Sequence, residues 1–139
     1  EKKVKKNAFV VNPSDVSGYA RFFEKYTVDE DGNSILNPHW EPNNEYNIMF
    51  IKAQENYAND LLKAKKRLFL NDVYEMLGLP RTKAGQVVGW VYDKDNPVGD
   101  NYVDFGLYAD NLSYSDFANG LDPAILLDFN VDGNIWEMM

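Results

Sequence analysis

Apolar residues recur at helical spacing over one long stretch of this chain. Tyr46, Phe50, Ala53, Tyr57, Leu61, Ala64 and Leu68 step by four, three, four, four, three and four. That amphipathic signature predicts a helix over 45–68, with Met49, Ala58 and Leu62 widening the stripe. Asn43 or Asn44 can cap its start, and Glu45 lies near the positive end of the helix dipole. Lys63, Lys65, Lys66 and Arg67 lie near the negative end. Cations are favoured there, which explains the basic cluster without a nucleic acid.

The pattern then changes. Asn71 is read as the cap of a second helix over 72–77, with Gly78 as its left-handed stop and Pro80 preventing continuation. A bend is expected near 69–71. Residues 86–92 and 102–108 read as strands; in the second, Val103, Phe105 and Leu107 alternate with Tyr102, Asp104, Gly106 and Tyr108. Asp132-Gly133 separates the apolar runs 125–130 and 134–138, a hairpin signal. Upstream, 8–11 reads as a short strand. Residues 14–26 read as a short helix capped by Ser14, burying Phe22, Phe23 and Tyr26. Residues 28–42 read as a loop in which Trp40 packs over a core edge. Residues 111–123 read as a connector with a helical turn at 114–118. The sum is an α+β fold: a long amphipathic helix and a short helix on an antiparallel sheet of four to five strands.

With 139 residues, 45% of them hydrophobic, the chain can bury a proper core, expected as one domain over 7–139. Residues 1–6 (Glu-Lys-Lys-Val-Lys-Lys) read as a basic linker, and a start at Glu1 reads as the junction to a preceding segment. The chain has no cysteine, so disulfides and thiolate metal sites are excluded. The net charge of -8 is uneven: Lys94 alone faces ten acids in residues 84–139. That half should repel nucleic acid and anionic lipid and suits a basic or polar partner.

Candidate chemistry is sparse. Asp128, Asn130 and Asp132, followed by Gly133 and Ile135, match the first eight positions of an EF-hand calcium loop. Position 12, where a bidentate Glu is needed, is Met139, so a plain turn at Asp132-Gly133 is the expected reading. Gly85 and Gly89 follow a helix and lead into a strand, the reverse of a dinucleotide fingerprint. His39 is the only histidine, and no nucleophile elbow accompanies it. Two carboxylates could in principle run glycoside hydrolysis, but 22 acids nominate no pair.

Asn59-Asp-Leu-Leu62, Phe69-Leu-Asn-Asp-Val-Tyr-Glu-Met-Leu-Gly78, Leu79-Pro80, Gly85, Val88-Gly-Trp90, Val103-Asp-Phe-Gly106 and Ile125-Leu-Leu-Asp-Phe-Asn-Val-Asp-Gly133 with Ile135 form a connected set. Over residues 45–139 this set resembles the C-terminal part of an uncharacterised protein family of phages and prophages of Gram-positive gut bacteria. The resemblance implies hydrophobic, membrane-inserting segments ahead of this region in the parent protein. It implies no activity and no catalytic residues.

These readings together lead us to expect a non-enzymatic interaction or structural domain, in the host cytoplasm, whose parent is anchored by the preceding segment. Tyr102, Tyr108, Tyr114 and Trp136 are the expected contact residues on the acidic half. A protein partner is expected, self-association is left open, and no cofactor or nucleic acid is expected. The alternatives are a carboxylate hydrolase and a calcium module at Asp128, Asn130 and Asp132.

Overall fold

A computed structural model describes residues 18–107, 116–120 and 123–138. The expected strand at 8–11 and the start of the expected helix at 14–26 lie outside them, as does most of the 111–123 connector; residues 116–118 are helical. The architecture is α+β. In chain order it comprises β1 (Arg21–Phe23), β2 (Tyr26–Val28), β3 (Ser34–Leu36), α1 (Asn44–Lys65), β4 (Arg67–Phe69), α2 (Leu70–Met76), β5 (Val88–Val91), β6 (Ile125–Leu127) and β7 (Gly133–Asn134). Single 3-10 turns cover Ala84–Gln86 and Trp136–Met138.

Asn43 caps α1 by accepting the Tyr46 N–H at 3.0 Å, and Glu45 sits in the first turn as expected. The helix stops three residues before the expected end. Lys66 turns left-handed at φ 72° and donates its N–H to Leu62 O, and the chain enters β4 at once. Leu68 is therefore a buried strand residue rather than part of the helical stripe.

The buried face of α1 also differs from the expected one. Asn47, Ile48, Ile51, Ala58 and Leu62 face inward, while Tyr46, Met49 and Tyr57 are exposed. The true face is rotated by about one residue, roughly 100°. Polar Asn47, Glu55 and Asn59 interrupt it, which disguises it as a solvent face.

α2 begins two residues earlier than expected, and Asn71 is not its cap. Phe69 holds the cap position with no side-chain bond. Asn71 is buried, donates to Thr82 O at 2.8 Å and accepts the Thr82 N–H at 2.9 Å. It pins the 80–85 loop across the helix. Gly78 does close the helix: its φ is +78°, and Leu79 donates its N–H back to Tyr74 O.

The expected four- to five-stranded sheet is three small antiparallel sheets: β1–β6, β2–β3 and β4–β5–β7. Residues 18–26 form β1 and the start of β2, not a helix. Phe23 is fully buried opposite Ile125, whereas Tyr26 is exposed. The loop expected at 28–42 contains a hairpin, because Asp29 Oδ1 accepts the Asp31 and Asn33 N–H groups and folds the acidic run into a turn joining β2 and β3. Trp40 does pack at the core edge, 6.0 Å from the Phe23 ring and 6.1 Å from that of Phe117.

The 125–130 and 134–138 runs do not pair with each other. β6 pairs with β1, and β7 pairs with β5. Asp132 overrides the hairpin by bonding to β5: its N–H donates to Gly89 O at 2.7 Å, and its Oδ2 accepts the Val91 N–H at 2.8 Å. Residues 103–107 join no ladder, and Gly106 turns left-handed at φ +77°. Val103 and Phe105 still point into the core, where Phe105 meets Phe129 edge-on at 5.3 Å and Phe129 meets Tyr74 at 5.7 Å.

β4 and β5 approach closely where Phe69 faces Gly89. A Cβ at Gly89 would overlap the Leu68 carbonyl oxygen and crowd Phe69 Cα, both rigid backbone. Gly89→Ala is expected to destabilise the fold by about 3 kcal/mol, the upper range for overpacking, measured as a fall in urea midpoint at unchanged m-value.

Candidate functional site

Asn130 is the best-connected polar side chain of the acidic half. Its Oδ1 accepts the Trp90 indole N–H at 2.8 Å and the Asp104 N–H at 2.7 Å; its Nδ2 donates to Asp100 Oδ2 at 2.9 Å and Tyr102 O at 3.0 Å. Trp90 is fully buried, so this bond satisfies an indole that has no water to turn to. On the other side of the 103–106 segment, Asn59 of α1 accepts the Val103 N–H at 2.7 Å and donates to Val103 O at 3.0 Å. Glu55 accepts the Phe105 N–H at 2.8 Å, and Asp104 accepts the Gly106 N–H at 2.7 Å. Side chains thus replace the missing strand.

This arrangement engages two of the oxygens that the calcium reading would use. Asn130 Oδ1 faces two N–H donors, and Asp132 Oδ2 faces the Val91 N–H. Among the described residues no group of three or more His, Cys, Asp or Glu is placed to hold a metal ion.

Among the described residues, two carboxyls are perturbed. Burial pushes Glu55 up from the ordinary carboxylate range, the Phe105 N–H opposes this, and Asp104 adds to it. Burial likewise pushes Asp132 up, opposed by the Val91 N–H and reinforced by Asp100. Neither lines either of two open grooves in the structure. One, about 660 Å³, is bounded by Asp29, Glu30, Asp31, Ile35, Pro80, Arg81 and Lys83. Its charges are partly matched already, since Lys83 donates its N–H to Glu30 and Arg81 pairs with Glu75 at 2.8 Å. The other, about 380 Å³, runs between α1 and α2 and is lined by Tyr57, Leu61, Lys65, Leu68, Asp72, Glu75 and Met76.

His39 is exposed, its ring stacked on Phe50 at 4.8 Å. Of the expected contact residues, Tyr102 is 49% and Trp136 60% exposed. Trp136 leans on Phe69 at a ring distance of 6.3 Å. Tyr108 and Tyr114 lie outside the described residues. A surface not anticipated from the sequence is the outer face of α1, where Tyr46 is 48%, Met49 67% and Tyr57 53% exposed, with Ala53 and Ala64 exposed between and beyond them. The signal was the helical stripe itself, assigned to the core rather than to solvent.

The chain belongs to a family of unknown function, DUF6353, whose model matches residues 1–139. Membership therefore extends over residues 1–44, beyond the 45–139 region that carried the sequence resemblance. No curated protein and no solved structure matches the chain.

Two outcomes are expected. Asn130→Ala removes four bonds and strands the buried Trp90 N–H, so it should cost about 3 kcal/mol and speed amide exchange at residues 103–106. Glu55 has a raised pKa when folded, so its stabilising contribution is complete below the ordinary range and is lost as pH rises through the folded value. Glu55→Gln keeps an acceptor for Phe105. It should match the parent in thermal stability at about pH 4 and exceed it at about pH 7.

Proposed function

We propose that this chain is a non-enzymatic domain, phage- or prophage-encoded, that works by protein–protein contact. One observation carries the reading: no buried side-chain nitrogen or oxygen among the described residues lacks a partner, while Tyr46, Met49, Tyr57, Tyr102 and Trp136 remain exposed. Polar chemistry is committed to the fold, and free apolar surface is left for binding. The acidic half around Tyr102 favours a basic or polar protein surface. The phage setting, the host cytoplasm and a membrane-inserted segment ahead of Glu1 are supported by the sequence resemblance. Among the described residues no helix is long and apolar enough to cross a membrane. The hydrolase alternative draws little support, because the raised carboxyls Glu55 and Asp132 line neither groove.

A photo-crosslinking amino acid at Tyr102, Trp136 or Tyr57, in the chain expressed in a bacterial host, should yield discrete protein adducts. The same probe at exposed Lys94 should not. Adducts from none of the three positions, in a chain that also stays monomeric, would overturn the reading.

A further inference from the structure

We propose that the free edge of β3 accepts an extended peptide strand of a partner protein, one that carries Lys or Arg two residues after a central apolar residue. This deepens the interaction reading by naming a partner chemistry for a surface that reading leaves unused, and rests on it. The β2–β3 hairpin is a sheet of two strands, so among the described residues β3 has a neighbour on one side only. All three residues of β3 are exposed, whereas Thr27 at the centre of β2 is buried. The hydrogen-bond phase fixes which groups are free. Asn37 donates its N–H to Lys25 O at 2.8 Å, and Asp29 donates its own to Asn33 O at 3.0 Å. Bonded pairs alternate along an antiparallel ladder, so Thr27–Ile35 is the bonded pair between them. Ser34 and Leu36 therefore turn their N–H and C=O groups away from β2.

These groups form a template for one more strand. In an antiparallel alignment the incoming residue opposite Ile35 lies on the face that Thr27 and Ile35 share. Its two neighbours, opposite Leu36 and Ser34, exchange backbone hydrogen bonds with the edge. Their side chains lie on the outer face, beside exposed Tyr26, Val28 and Leu36. Ile35 lines the 660 Å³ groove with Asp29, Glu30 and Asp31. Arg81 of the same groove is already paired with Glu75, leaving three carboxylates against Lys83. The incoming residue opposite Asn33 returns to the Ile35 face and reaches toward those carboxylates at the hairpin tip. Lys25 occupies the hairpin base, 5.6 Å from the Tyr26 ring. A cation is therefore favoured at the tip, two residues past the central apolar one.

A second copy supplies a strand but not the charge. Two-fold pairing about Ile35 would run Asn37 and Pro38 past the tip residues Asn33 and Gly32, and neither is a cation. A three-residue edge buries far less than the roughly 1,000 Å² of a lasting interface. The contact is therefore transient, with Kd on the order of 100 μM.

The probe is the peptide acetyl-Thr-Val-Ile-Val-Arg-Thr-Lys-amide, titrated into the full chain and followed by amide NMR. It should give saturable shifts centred on Ser34 and Leu36 and slow the exchange of those two N–H groups with solvent. N-methylation of either Val, whose N–H faces β3, should abolish binding. N-methylation of the Ile, whose N–H faces away, should leave Kd within about threefold. Replacing the peptide Arg and Lys by Glu should weaken binding at least about tenfold, and Asp31→Lys should reverse that preference. No saturable shift, or binding indifferent to which residue is N-methylated, overturns the proposal. Slow exchange at Ser34 and Leu36 in the free chain also overturns it, because the chain itself or a second copy then holds the edge. Photo-adducts at Tyr57, Tyr102 or Trp136 without peptide binding sink the edge site alone and leave the broader interaction reading standing.

Discussion

A backbone N–H removed from water must find an acceptor, and residues 103–106 have no strand beside them to provide one. Asn59, Asn130, Glu55 and Asp104 accept the four N–H groups in turn. Two of the acceptors come from α1, and Asn130 comes from the chain between β6 and β7. The segment is therefore a mortise between the helix and the C-terminal return. It carries Val103 and Phe105 into the core, where Phe105 supports Phe129 and, through it, Tyr74 of α2. Return hydrogen bonds from Asp128 and Asn130 to Phe105 and Asp104 carbonyls close the joint.

The same economy recurs elsewhere. Asn37 donates to Leu77 O, Asn44 to Phe117 O and Asn47 to Glu41 O, each across a loop that no strand accompanies. Sixteen asparagines in 139 residues serve a fold with short strands and much irregular backbone. An amide carries both a donor and an acceptor, so one side chain can mimic a neighbouring peptide group. This leaves exposed rings and aliphatic groups on α1, on the β2–β3 hairpin and at Tyr102 and Trp136 as surface features with contact potential.

Much of the fold was legible because local chemistry dictated it. The Asn43 cap, the Gly78 stop, the Gly-Trp strand and the alternation of Val103 and Phe105 all follow from single-residue or period-two rules. The rest depended on pairing across sequence. The helical stripe was visible, but Asn47, Glu55 and Asn59 on the true inner face read as solvent residues, since nothing nearby in sequence reveals their backbone partners 6 to 50 residues away. Asp132-Gly133 looked like a turn because its competing bond, to Val91, spans 41 positions. Asn71 resembled a cap until Thr82 was seen to occupy both ends of its amide. The outer face of α1 was read from the correct residues and given the wrong neighbour.

Joinery built on amides has a particular chemical vulnerability. Deamidation swaps an NH₂ for an oxygen and leaves the shape of the side chain unchanged. At Asn59, Asn71 or Asn130 that swap would set a carboxylate against the carbonyl of Val103, Thr82 or Tyr102 in place of a donor. Ageing of the polypeptide at a few atoms could thus unseat the helix from the C-terminal return while every apolar contact stayed intact.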